Sequence, residues 1–128
     1  MEYTLHRVQR VPTPLDRTFD FFSRPENLAR ITPPWLGFRM VSSDVAMRAG
    51  LRIEYRVKPL GFPQPWLSEI TLYEPPHRFV DEQVRGPYRR WHHDHRFRAA
   101  DGGTEVTDTV TYASVSYTHL TLPTNREV

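Results

Sequence analysis

The residues best suited to chemistry lie between Phe79 and Phe97, in the run FVDEQVRGPYRRWHHDHRF. Acidic, amide and imidazole side chains recur there at every second position among aromatics. Side chains on a strand point alternately to opposite faces, so Phe79, Asp81 and Gln83 share one face, as do Trp91, His93, His95 and Phe97. The intervening Arg90, His92, Asp94, Arg96 and Arg98 form a charged outer face suited to water. A loop of odd length, Gly86-Pro87-Tyr88, brings both sets to one face and places Phe79 opposite His95, Asp81 opposite His93 and Gln83 opposite Trp91. The Asp101-Gly102 dipeptide predicts a second, tight hairpin. Pairing through it sets Phe97 opposite Val106, His95 opposite Asp108 and His93 opposite Val110. Two carboxylates then flank two imidazoles on one inner face.

Three kinds of chemistry fit such a group. An ionised side chain buried without a partner costs several kcal/mol, so Asp81–His93 and Asp108–His95 are expected as mutually satisfying pairs. A carboxylate-oriented imidazole titrates near neutrality and can move protons, which makes His93, His95, Asp81 and Asp108 the candidate catalytic residues. His-x-His on a strand also presents two nitrogens to one face, a start towards a metal site with Asp81 or Asp108. Simple pairing is favoured over metal binding, because two-residue spacing leaves the geometry loose and no third histidine is near. No metal and no cofactor are therefore expected. Tyr55, Trp66, Phe79, Asp81, Gln83, Trp91, His93, His95, Asp108 and Tyr112 together form the expected ligand-binding set, an aromatic wall with a few convergent polar groups. The same aromatics also serve as ordinary core. Trp35 reads equally as a mouth aromatic or a core anchor.

These residues need strands to hold them. Glu2 to Val11 reads as a first strand, ended by Pro12-Thr13-Pro14. Leu15 to Phe22 predicts a short helix with Leu15, Phe19 and Phe22 on one face. Ser23 is the N-cap candidate of a second helix running through Pro25 and Glu26 to Ile31, stopped by Thr32-Pro33-Pro34. Phe38 to Ser43 predicts a strand and Met47 to Gly50 a turn. Leu51 to Leu60 predicts a strand with Ile53, Tyr55 and Val57 inward. After the Gly61 to Pro65 turn, Trp66, Ser68, Ile70 and Leu72 form the next inward set. Thr104 to Ala113 completes the series, with Val106, Asp108, Val110 and Tyr112 inward. The expected class is α+β, a curved antiparallel sheet of about six to seven strands with two short N-terminal helices. Such a sheet needs a cover for its dry face, and two short helices do not suffice. Ser114 to Val128, SVSYTHLTLPTNREV, has Pro123 at its middle and no sustained helical period, so the expected covering helix is lacking there.

The chain's bulk properties narrow its class. At 128 residues, with 38% hydrophobic and 25% charged residues, it fits one globular domain. It has no cysteine, which excludes disulfides and thiolate metal sites. The N-terminal run carries no signal-like apolar stretch and no segment is suited to span a bilayer, so the cytoplasm is the expected compartment. Net charge is +2 with a pI near 9.2, but the basic residues are mixed with acids and no nucleic-acid motif is present, so no nucleic-acid partner is expected.

Read together, FDFFSRPENLARITPPWLGF, RIEYRV, PWLSEITLYEPPHRFVDEQVRGPYRRWHHDHRF and GGTEVTDTVTY resemble a bacterial member of the SRPBCC superfamily, which is START-like and polyketide cyclase/dehydrase-like. The resemblance spans roughly Glu2 to Ala113. It implies a helix-grip fold, in which a curved antiparallel sheet grips a long C-terminal helix around a hydrophobic cavity. Residues 1–113 are thus expected to be an incomplete START-like domain. Residues 114–128, which resemble translated sequencing adapter, are expected to be a non-native or disordered tail. The resemblance implies binding of a small lipophilic ligand as the leading function. Cyclase, dehydrase or hydrolase chemistry by a His–Asp pair is the second. The missing helix leaves a third, a protein-interaction module that self-associates through an uncovered sheet face.

Overall fold

A computed structural model describes residues 1–27, 37, 39–41, 46–58 and 61–113. Strand β1 spans Glu2–Val11, helix α1 Leu15–Phe22, and a 3-10 turn covers Pro25–Asn27. Strands β2 (Arg39–Met40), β3 (Arg52–Val57), β4 (Gln64–Glu74), β5 (Arg78–Arg85), β6 (Arg90–Ala100) and β7 (Gly103–Ala113) follow. They form one antiparallel sheet in the order β1-β7-β6-β5-β4-β3-β2. The α+β class and the seven-stranded antiparallel sheet are as the sequence predicts. Trp35, the end of the second predicted helix and the tail at 114–128 lie outside the described residues.

Both hairpin registers hold. Phe79 faces His95 and Asp81 faces His93 across β5 and β6. Phe97 faces Val106, His95 faces Asp108 and His93 faces Val110 across β6 and β7. The β6–β7 turn is the two-residue Asp101-Gly102, with Gly102 at φ +77°, a conformation that glycine adopts without cost. The β5–β6 ladder stops at the Glu82–His92 pair, so the predicted facing of Gln83 and Trp91 does not form. Gln83 instead staples the loop: its amide donates to the Tyr88 carbonyl at 2.5 Å and its Oε1 accepts from the Tyr88 N–H at 3.1 Å. The side chain is spent on loop backbone that would otherwise lack partners.

Two local readings need correction. Ser23 closes α1 as its C-cap and does not open a second helix; its N–H reaches the Phe19 carbonyl at 2.9 Å. The inward set of β4 changes beyond Ile70. A register shift between Ile70 and Leu72 places Leu72 opposite Val80 and Tyr73 opposite the inward Phe79. One extra residue in a strand reverses the parity beyond it, so Tyr73 takes the inner place predicted for Leu72.

Helix α1 lies on the inner face at one end. Phe19 packs edge-on to Phe79 and Phe97, with ring centroids 5.9 and 5.1 Å apart, and Phe22 packs on Phe97. No side chain caps its N-terminus. The preceding turn is held by two hydroxyls that share the Thr13 carbonyl, Thr18 at 3.1 Å and Thr104 of β7 at 2.7 Å. The far end of the inner face is an aromatic cluster of Trp66, Tyr88, Trp91 and Tyr112. The ionisable residues occupy the middle, between these two apolar ends.

Candidate functional site

Neighbouring strands present the site as a row. Asp81 comes from β5, His93 and His95 from β6, Asp108 from β7, and Arg7 from β1 directly opposite Asp108. Asp81, His93, His95 and Asp108 are 7%, 4%, 0% and 6% exposed, a depth at which charge demands a partner. Alternation explains the depth, since all share the parity of Phe79, Phe97, Val106 and Tyr112.

The expected pairs stand at ion-pair distance, but the hydrogen bonds run elsewhere. His95 Nε2 bonds Asp81 Oδ2 at 2.6 Å and His93 Nε2 bonds Asp108 Oδ1 at 3.2 Å, so each bond runs diagonally across the ladder instead of straight across. The straight pairs are longer: His93 Nδ1 lies 4.0 Å from Asp81 Oδ2, and His95 Nδ1 lies 3.3 Å from Asp108 Oδ1 at ion-pair distance but outside hydrogen-bond geometry. The outer oxygen of Asp108 faces Arg7, whose guanidinium is 3.8 Å away. Arg7 was not among the predicted site residues. Its parity in the first strand was legible, but the pairing of β1 with β7 that brings it to Asp108 was not.

The two imidazoles are set apart electrically. Burial disfavours charge on His95, but the adjacent carboxylates of Asp108 and Asp81 outweigh it and raise its pKa to about 9. Burial lowers His93, and the adjacent charge of His95 lowers it further. Burial likewise disfavours ionised Asp108, yet both histidines hold its pKa well below the usual carboxylate range. Across β5, β6, β7 and β1 the row thus alternates acid and base, Asp81, His95, Asp108 and Arg7, with His93 beside it. The rings stack: His95 lies between Phe79, at 4.0 Å and 11°, and His93, at 3.6 Å and 26°. A cation against the Phe79 face gains from its quadrupole.

The remaining predicted residues surround this row. Tyr55 and Trp66 face each other on β3 and β4, both buried. Burial first, and then the charge of Asp81, push the Tyr55 phenol well above its ordinary range, which places Asp81 within its electrostatic reach. Trp66 Nε1 donates to Ser68 Oγ at 2.9 Å. Trp91 packs between Trp66 and Tyr112. Tyr88, which the sequence reading treated as turn, belongs with them; it is buried and its ring meets Trp66, Trp91 and Tyr112. Its position in a Gly-Pro-Tyr loop gave no periodic signal.

A cleft of about 300 Å³ opens at the α1 end, lined by Asp20, Arg24, Glu26, Met47 and Tyr73 among others. From Tyr73 a continuous series of ring contacts runs through Phe19 and Phe79 to His95. Among the described residues, Asp81, His93 and His95 have ligand atoms close enough together to hold a metal ion.

A family model described as polyketide cyclase / dehydrase and lipid transport matches residues 11–123. No curated protein matches at a significant level. Among solved structures, one from Mycobacterium smegmatis is 28% identical with a TM-score of 0.61, the match covering 87% of this chain and 73% of that one. A Chromobacterium violaceum protein superposes with a TM-score of 0.71 at 14% identity over 97% of this chain and 86% of its own. Major latex-like protein 151 from Panax ginseng gives 0.68 at 14% identity over 98% and 88%. At 14% identity these likenesses speak to the fold, which is the helix-grip arrangement.

Proposed function

Because this chain belongs to the polyketide cyclase / dehydrase and lipid transport family, we propose that it binds a small lipophilic molecule carrying one polar group. The observation that supports this is a buried row of charges set between two aromatic ends of one sheet face. A core built only for stability gains little from such a row, since well-packed apolar residues often do as well as a buried ion pair. A pocket that must orient a mostly apolar ligand needs a few fixed polar groups among aromatics. Trp66, Tyr88, Trp91 and Tyr112 would contact the apolar body, and the Asp81–His95 and His93–Asp108 pairs would meet the polar group.

Native mass spectrometry of the full chain tests the reading. A single apolar molecule is expected to be retained, and Trp91→Ala is expected to weaken its binding about tenfold, close to 1.4 kcal/mol. Absence of any retained molecule, together with no saturable quenching of tryptophan fluorescence by a panel of aromatic polyketides and fatty acids, overturns it.

One observation favours a second reading, a cyclase or dehydrase. Imidazoles whose environments push their pKa values apart form a ready acid and base, and neutral His93 stands against protonated His95. A ligand returned chemically altered by the wild type, but unaltered by His93→Gln, distinguishes turnover from carriage.

A further inference from the structure

We infer that Asp81, His93 and His95 form a binding site for a divalent first-row transition metal ion, with Asp108 as the carboxylate that orients both histidines. This goes beyond the lipophilic-ligand reading and does not depend on it.

The two histidines divide their ring nitrogens between the two carboxylates. His93 Nε2 bonds Asp108 Oδ1 at 3.2 Å, and His95 Nδ1 lies 3.3 Å from that same oxygen. One carboxylate oxygen thus engages one nitrogen of each histidine. The nitrogens left over, His93 Nδ1 and His95 Nε2, both face Asp81 Oδ2, at 4.0 and 2.6 Å. A metal-bound histidine typically donates its second N–H to a carboxylate, which fixes its tautomer and aims its lone pair. Asp108 Oδ1 accepts such a bond from His93 and stands at ion-pair distance from His95 Nδ1, the position from which it would serve both. A pair of carboxylates serving merely as counter-ions has no need of that division of labour.

The distances suit a metal. With ligand bonds near 2.1 Å, tetrahedral ligand atoms stand about 3.4 Å apart. The Asp81–His95 contact must widen by about 0.8 Å and the Asp81–His93 contact close by about 0.6 Å, shifts within the reach of side-chain torsions. The ion would replace the hydrogen bond that joins His95 to Asp81, and the Nε2 proton of that bond would pass to solvent, since a ligating imidazole is neutral. Two imidazoles and a carboxylate suit ions of the zinc and cobalt type over calcium or magnesium, which take oxygen ligands. Charge also balances: Asp81 and Asp108 together neutralise a dication, and Arg7 remains at the outer oxygen of Asp108. Three protein ligands leave a coordination position open.

Isothermal titration of the EDTA-treated, dialysed full chain with Zn²⁺ tests the site, with Co²⁺ as a spectroscopic probe. One equivalent is expected to bind, with visible Co²⁺ bands of tetrahedral intensity and X-ray absorption showing two imidazoles per ion. Asp81→Asn and His95→Gln are expected to abolish these bands, and Asp108→Asn to weaken binding roughly 10- to 100-fold while preserving them. His92→Gln, on the outer face, should leave them unchanged. Absence of stoichiometric binding by the wild type overturns the inference, as does an absorption spectrum lacking two imidazoles. If a variant fails to fold, these two wild-type measurements decide alone. The ion is read without any organic ligand, so a negative result leaves the lipophilic-ligand reading intact.

Discussion

At the scale of single residues, the inner-face row makes a pH prediction for the metal-free protein. His95 rises from 6.5 to about 9 on folding, so its contribution is complete below pH 6.5 and disappears as pH climbs through 9. That change corresponds to about 3 kcal/mol. His93 is lowered, so the unfolded chain gains a proton there as pH falls below 6.5 and stability drops. Asp108 is lowered too, and its contribution is lost in acid, below the ordinary carboxylate value. Thermal unfolding in EDTA should therefore give a maximum near pH 6.5 to 7. His95→Gln should remove the decline between pH 6.5 and 9 while keeping the acid limb; an unchanged alkaline limb would contradict the assignment. Four of the row's members were legible in the sequence, because strand parity selects Asp81, His93, His95 and Asp108; Arg7 was not. Their bonding was not, because register specifies facing Cα atoms. Imidazole nitrogens lie far from the backbone and reach diagonal neighbours as readily as facing ones.

At the scale of elements, α1 is defined by which of its phenylalanines it buries. Phe19 and Phe22 meet the Phe79–Phe97 end of the sheet, whereas Phe21 is 41% exposed. Phe19→Ala should cost about 3–5 kcal/mol in urea unfolding, and Phe21→Ala should fall within roughly 0.5 kcal/mol of wild type. Equal effects would mean that the helix does not pack by this face. The boundaries of β1, α1 and the last two strands follow from proline, parity and the Asp-Gly turn, all local signals. The register shift near Leu72 has no such mark. Thr71 and Leu72 alternate plausibly either way, and only the need to set Tyr73 against Phe19 and Phe79 selects the observed arrangement.

At the scale of the molecule, β1 lies beside β7, joining the first strand to the last. Where they meet, a Cβ added to Gly103 would collide with the Val11 carbonyl oxygen, a backbone atom that cannot swing aside. Gly103→Ala should accordingly destabilise the protein by about 1–3 kcal/mol and detach the β1 end. Hydrogen exchange checks this: faster exchange at Arg10 and Val11 is expected, with Trp91 and His93 amides little affected. The hairpin succession from β3 to β7 was readable because each turn is local. The β1–β7 pairing joins residues far apart in the sequence, Tyr3 with Tyr112, and carries no local signature. That pairing also orders events in time. A chain emerging from the ribosome makes β1 well before β7, its ladder partner among the described residues, so the hairpins between them can close before β1 docks. Loop-closure entropy makes its docking a late step. Arg7 therefore reaches Asp108 only after β7 has formed and β1 has docked on it, so the outermost charge of the buried row is neutralised late.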